Sequence, residues 1–266
     1  MEEFTYIASE GTPLHAVALG TAASTIVLLH GGGPDHRSLL PLAERLTAQH
    51  TVVLPDVRGY GRSWCADPAR HTWAQYTADL IALLDHLGEA RAVVGGTGLG
   101  STITLRAALA HPDRIRAGIL IGVEDIEDDD AKERETAFLD DFAERVTSQG
   151  LEAAWAPVLS MFPPIIGAAV RAAIPRSDPP SIAAAASIGR DRAFRDVTDL
   201  SDLRSPVLVI PGTDARHPTA LAEQVARTLP HGRLAPVAVS ESLHTTEDLA
   251  RVVAPPIQDF LSATDT

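Results

Sequence analysis

The chain of 266 residues contains one cysteine, one lysine (Lys132) and few aromatic side chains, 5% in all. A lone Cys65 excludes an internal disulfide framework and suits a reducing compartment. No partner base or electropositive setting accompanies it, so its thiol is read as inert. Long apolar runs are also missing: Pro163–Ile174 is interrupted by Arg171 and closed by Pro175, too short to span a bilayer. The N-terminal Met1-Glu2-Glu3-Phe4 has no basic region followed by an apolar stretch, so no secretory signal is expected. Positive charge is scarce: 22 Lys+Arg stand against 35 Asp+Glu, a net charge of −13. That balance disfavours nucleic acid and anionic membrane surfaces as partners. A soluble, cytoplasmic protein is expected. At 45% hydrophobic residues there is ample material for one large α/β domain, or a core plus an insertion.

Thr25–Leu29, Thr51–Leu54, Ala92–Val94 and Gly118–Gly122 are short apolar runs that end in Gly, Pro or a charge, the pattern of buried strands. Helical patterns lie between them at Ser38–Gln49, Trp73–Leu87 and Leu99–His111, the last stopped by Pro112. This alternation predicts a mostly parallel sheet flanked by helices. From Ile126 to Phe194 no strand is visible; the segment is Ala-rich, helical and punctuated by prolines. Strands are expected again at Pro206–Ile210 and Leu234–Val239, and helices at Ala220–Leu229 and Leu249–Leu261. The chain thus divides into a core of residues 1–125 and 196–266 and a helical cap of residues 126–195. The acidic run Glu124–Glu135 reads as a solvated helix start, since carboxylates favour a helix N-terminus.

In open parallel sheets, ligands bind beyond the carboxyl ends of the strands. The segments that follow the strands are His30-Gly31-Gly32-Gly33, Asp56-Val57-Arg58-Gly59-Tyr60-Gly61-Arg62-Ser63, Gly96-Thr97-Gly98-Leu99-Gly100, and Gly212-Thr213-Asp214 with His217-Pro218. Consecutive glycines let backbone N–H groups turn toward a ligand oxygen. Arg58 and Arg62 are expected to anchor loops through carboxylates such as Asp56. His217-Pro218 reads as a loop cap that starts the next helix, because Pro suits the first helical position. His30 and His36 are candidate rim donors. No paired carboxylate stands beside them at ligand spacing, so no metal site is expected. A dinucleotide reading of Gly96-x-Gly98-x-x-Ser101 is also open, though the last position lacks Gly or Ala.

In their joint order these motifs resemble the α/β-hydrolase fold superfamily over nearly the whole chain. The resemblance implies an oxyanion loop at Gly31, Gly32 and Gly33, completed by the N–H of Leu99, with Thr97 as a pocket neighbour. It implies a Gly-x-Ser-x-Gly elbow at residues 96–100, and a triad in the order nucleophile, acid, histidine. The nucleophile position is then Gly98, which carries no side chain. Sliding the motif by one residue would put Thr97 there, but Leu99 would then replace a needed glycine. The base is expected at His244, before the final helix, oriented by Asp214; Glu124 and Asp125 are alternative acids. Trp155, Met161 and Phe162 of the cap are expected to contact substrate.

Without a serine, the acyl-enzyme route has no nucleophile. Three readings stay open. One is direct hydrolysis of a small, fairly apolar ester, lactone or related carbonyl compound by water activated at His244. Another is non-hydrolytic proton abstraction, elimination, C–C cleavage or cyclisation. The third is a relative that has lost its nucleophile, by nature or by substitution, and binds a small ligand. The expectation is an enzyme of this family with a small-molecule substrate and no cofactor. Oligomeric state is not fixed by the sequence.

Overall fold

The computed structural model describes residues 1–264. Eight strands form one sheet: β1 (Glu2–Ile7), β2 (Pro13–Leu19), β3 (Thr25–Leu29), β4 (Thr51–Pro55), β5 (Ala92–Thr97), β6 (Ile115–Ile121), β7 (Val207–Ile210) and β8 (Gly232–Leu234). Their spatial order is β1-β2-β4-β3-β5-β6-β7-β8. The pairs β1–β2 and β2–β4 are antiparallel; every pair from β4 to β8 is parallel.

Side chains of a strand alternate between faces, so β3 feeds two cores. Val27 and Leu29 join one, with Leu80, Leu83 and Leu84 of helix α2 (Trp73–His86) and Ile103 of α3 (Leu99–Ala110). Ile26 and Leu28 join the other, with Leu42 and Leu46 of α1 (Leu40–Leu46) and Val253, Ile257 and Phe260 of α9 (Thr246–Thr264). Helix α8 (Thr219–Thr228) adds Ala222 and Val225 to the first core. Helices therefore cover both faces of a mostly parallel α/β sheet. No helix among the described residues is long and apolar enough to cross a membrane.

Between β6 and β7 the chain is helical: α4 (Asp129–Gln149), α5 (Leu151–Leu159), α6 (Pro164–Ala173) and α7 (Pro179–Ala185), with short 3-10 turns. Ile126 and Phe194 meet in an isolated parallel bridge, so this segment leaves and re-enters the core at one neck. Asp128 caps α4 by accepting from the Ala131 N–H at 2.8 Å, and Asp129 and Asp130 lie in its first turn. Only this middle of the acidic run is a solvated helix start; Glu124 and Asp125 precede the helix and, with Glu135, line a cavity. The segment is tied to the core by Arg176, which donates to Asp35 at 2.8 Å, and by the Trp73 N–H, which donates to Asp191 at 2.9 Å.

Three sequence expectations need correction. β1 and β2 escaped notice. The expected strand Leu234–Val239 is instead Gly232–Leu234, because Pro236 has no N–H to give to a ladder. Arg58 does pair with carboxylates, but these are Asp79 at 2.7 Å and Glu10 rather than Asp56. Asp56 accepts from the main-chain N–H groups of His36 and Arg62 and faces Nδ1 of His15 and His36, at 2.8–3.0 Å. Four donors fill its carboxylate, so His15, Asp56 and His36 form a hydrogen-bonded anchor beneath the Gly-rich loop.

Candidate active site

At the carboxyl ends of β3, β5, β6 and β7, roofed by the helical insertion, lies a cavity of about 180 Å³. Its walls are mostly apolar: Phe138, Leu139, Phe142, Trp155, Val158 and Phe162 come from α4, α5 and the turn after α5. Trp155 and Phe162 therefore stand where the sequence suggested. Met161 does not; it is 70% exposed and absent from the lining, since its side chain leaves the turn toward solvent.

The floor is built around Gly98. This residue joins β5 to α3 with φ 49° and ψ −113°, and its N–H donates to the Ile121 carbonyl at 3.1 Å. Such a backbone, strained for any L side chain, aims whatever stands at 98 into the cavity. Leu99 opens α3, so its N–H is among the helix donors that lack an intrahelical acceptor. Gly31, Gly32, Thr97 and Leu99 all line the cavity; Gly33 does not, being packed under Trp155 and Val170. His30 and His36 are not rim donors. His30 is fully buried: Nδ1 lies 2.8 Å from the Gly31 carbonyl and Nε2 accepts from the Val57 N–H at 3.0 Å. Burial holds its pKa down, which suits the neutral ring these two bonds require.

The side chain nearest the place of the absent nucleophile is Glu124, three residues beyond β6. A Cβ on Gly98 would lie 2.7 Å from Glu124 Oε1 and 3.4 Å from His217 Nε2. Glu124 thus occupies the volume that a side chain at 98 would claim. It is 7% exposed and ion-paired to Arg216, whose other nitrogens donate to Glu135 of α4 at 2.8 and 3.3 Å. Burial raises the Glu124 pKa, but the Arg216 charge and His217 outweigh it and bring it to about 2.

His217 is held between two carboxylates. Its Nδ1 lies 3.0 Å from Asp214 Oδ2, and its Nε2 lies 3.5 Å from Glu124 Oε2. Asp214 also accepts the main-chain N–H groups of Arg216 at 2.9 Å and His217 at 3.1 Å, which folds the loop back on itself. A Cβ on Gly122 would come within 3.0 Å of the imidazole, so glycine leaves the ring its seat. Burial disfavours the imidazolium, yet the two carboxylates raise its pKa to about 9. The two carboxylates thus favour the protonated ring at neutral pH.

The expected pairing of Asp214 with His244 is therefore corrected: Asp214 holds His217. His244 is exposed and outside the cavity lining, and among the described residues its one hydrogen bond is from its main-chain N–H to Asp248 at 3.2 Å. Sequence reasoning treated His217 as a cap because Pro218 follows it. The available signal was the Asp-x-x-His spacing of Asp214 and His217 on a loop after a strand. Asp125 completes the floor. Alone among described non-glycine residues it has positive φ, 61°, and Thr102 donates to its Oδ2 at 2.8 Å.

Residues 26–254 match the family model described as "Alpha/beta hydrolase family". A 117-residue stretch is 39% identical to an epoxide hydrolase of Caballeronia sordidicola, covering 42% of this chain and 34% of that protein. The chain thus spans about a third of that relative's length. Among solved structures it is similar to a thermophilic esterase of Thermogutta terrifontis, with TM-score 0.84, 26% identity and full coverage of both chains. It also shares the fold of an enol-lactonase of Burkholderia xenovorans LB400, with TM-score 0.78, 23% identity, and coverage of 97% of this chain and 100% of that one. With the family model matched over most of its length, the chain belongs to the α/β-hydrolase family.

Proposed function

We propose that the protein hydrolyses a small, largely apolar ester, lactone or related carbonyl compound by direct attack of water, with Glu124 as the base in place of a serine nucleophile. One observation carries this reading: the Glu124 carboxylate lies over Gly98, with Oε2 3.5 Å from His217 Nε2. The apolar walls take the substrate body, and the roof formed by the helical insertion acts as a cap that limits its size. The acyl carbonyl points at the N–H groups of Leu99 and the Gly31–Gly32 turn, where negative charge develops as water adds. Glu124 takes the water proton as the new C–O bond forms. Its low pKa makes it a weak base at rest, so proton transfer accompanies addition. His217 keeps its proton, and its positive charge, oriented by Asp214, stabilises both the carboxylate and the nascent oxyanion. Environments that push neighbouring pKa values apart assign acid and base to separate groups.

The same pair would serve a non-hydrolytic proton transfer, and the largely apolar cavity favours that as a second reading. Purified protein assayed on p-nitrophenyl esters, lactones and epoxides in H₂¹⁸O tests both. We expect label in the product acid and a loss of roughly 10²-fold or more in Glu124→Gln, the usual range for a general base. Turnover indifferent to Glu124 would overturn the assignment, and turnover without label would favour proton transfer.

A further inference from the structure

We propose that Asp125 is the general acid of this site, a carboxyl that gives its proton to the departing oxygen of the substrate; this rests on the reading of Glu124 as base. Three features of its geometry point there. Asp125 lines the cavity directly after Glu124, so the two carboxyls are chain neighbours on one floor. Its backbone is held at φ 61°, a conformation that costs free energy in a non-glycine residue and gathers at functional sites. Thr102, itself fully buried, donates to Oδ2, and no other hydrogen bond is made to this carboxyl among the described residues. The other oxygen carries no hydrogen bond among the described residues, and the residue lines the cavity.

The surroundings keep the proton on. Its half-buried place disfavours the carboxylate, the neighbouring Glu124 charge disfavours it again, and the group is pushed up to about 8 although Arg216 and the Thr102 hydrogen bond favour the charged form. Two adjacent carboxyls cannot both ionise in such a place, and Arg216 and His217 select Glu124 as the charged one. The groups that act on Asp125 are Glu124 on its own segment, Thr102 from α3, Arg216 from the loop after β7, Tyr60 from the loop after β4, and Glu135 from α4, where Lys132 is paired with Glu127.

The protons balance. Water adds to the acyl carbon and its proton passes to Glu124. The acyl–oxygen bond then breaks, its electron pair stays on the leaving oxygen, and that oxygen takes the Asp125 proton. The proton on Glu124 moves to the Asp125 carboxylate through solvent, which restores both groups with one water consumed.

Leaving groups test the assignment. A p-nitrophenolate departs without protonation, whereas an ethoxide needs a proton. Asn tolerates positive φ and can accept from Thr102, so Asp125→Asn keeps the local fold. We expect kcat/KM for ethyl butyrate to fall about 10²-fold in Asp125→Asn and that for p-nitrophenyl butyrate to change less than about threefold. A carbon-13 NMR titration of Asp-labelled protein needs no turnover: one carboxyl should titrate near pH 8 and vanish in Asp125→Asn. Equal losses on the two esters, or an Asp125 carboxyl that titrates in the ordinary carboxylate range, would overturn the proposal. If Glu124→Gln still abolishes turnover in that case, the base assignment stands and only the role of Asp125 falls.

Discussion

The Glu124 carboxylate fills the space that a side chain on Gly98 would need, with Oε1 2.7 Å from the Cβ position. Glycine at 98 and glutamate at 124 are thus one feature rather than a lost serine and an unrelated acid. Gly98→Ser alone should therefore give no esterase burst, and should lower stability by roughly 1–3 kcal/mol through strain at positive φ and displacement of Glu124. Gly98→Ser with Glu124→Ala makes room and removes one of the two carboxylates that hold the His217 proton. That double variant should show a burst with p-nitrophenyl butyrate. A burst in the single variant would contradict this coupling.

The two histidines separate the observed site from the arrangement expected from the sequence. His217→Ala should reduce kcat/KM by roughly 10²-fold or more, the scale of a lost catalytic group. His244→Ala should leave it within about twofold, since surface changes away from a site are near neutral. Steady-state kinetics of the two variants, with circular dichroism to confirm folding, decide the matter; the opposite ranking would place the chemistry at His244.

Arg216 joins Glu124 to Glu135 and so links the core floor to the helical insertion. In Arg216→Gln the largest charge that lowers the Glu124 pKa is gone. Its pKa should rise toward 4.5, and an acid limb should enter the rate profile from below. Loss of the pair should also lower Tm by several degrees, because the buried Glu124 keeps a charge without its partner.

Stability should fall as pH rises through the same groups. His217 has a folded pKa of about 9 against 6.5 unperturbed, so its contribution is complete below about pH 6.5 and is lost as pH rises through about 9. Asp125, raised to about 8, penalises the folded state increasingly as pH climbs from its ordinary value of 3.8 to that point. In both cases the folded state binds more protons than the unfolded one, so the signs agree. Tm measured by calorimetry should decline between about pH 6.5 and 9, and Asp125→Asn should flatten the decline below pH 8.

Much of the sheet was legible because β3, β4, β5 and β7 are short apolar runs with clear stops, and α2 and α3 begin and end within a residue or two of their sequence signals. β1 escaped because Glu2-Glu3-Phe4-Thr5-Tyr6 places charge on an edge strand, where one face meets solvent. The Gly-rich turns and the glycine elbow could be read from residue type, since backbone geometry demands glycine there. The histidine could not. His217 stands three residues after Asp214, and only the tight turn made by Asp214 and the gap over Gly122 swing its ring toward Gly98. Likewise Glu124 and Asp125 belong to an acidic run that reads as solvated until the fold turns its two ends into a cavity.

On the proposed reading the site works with an imidazolium and a carboxylate already charged, rather than with a neutral histidine base. The pH dependence of kcat/KM for p-nitrophenyl butyrate tests it most directly, because that profile reports the essential groups of the free enzyme. With Glu124 at about 2 and His217 at about 9, the rate should be flat through pH 6.5 and fall only as His217 loses its proton near pH 9. A rate that instead rises with pH through the ordinary histidine value of 6.5 would mean that a neutral imidazole, not Glu124, is the base.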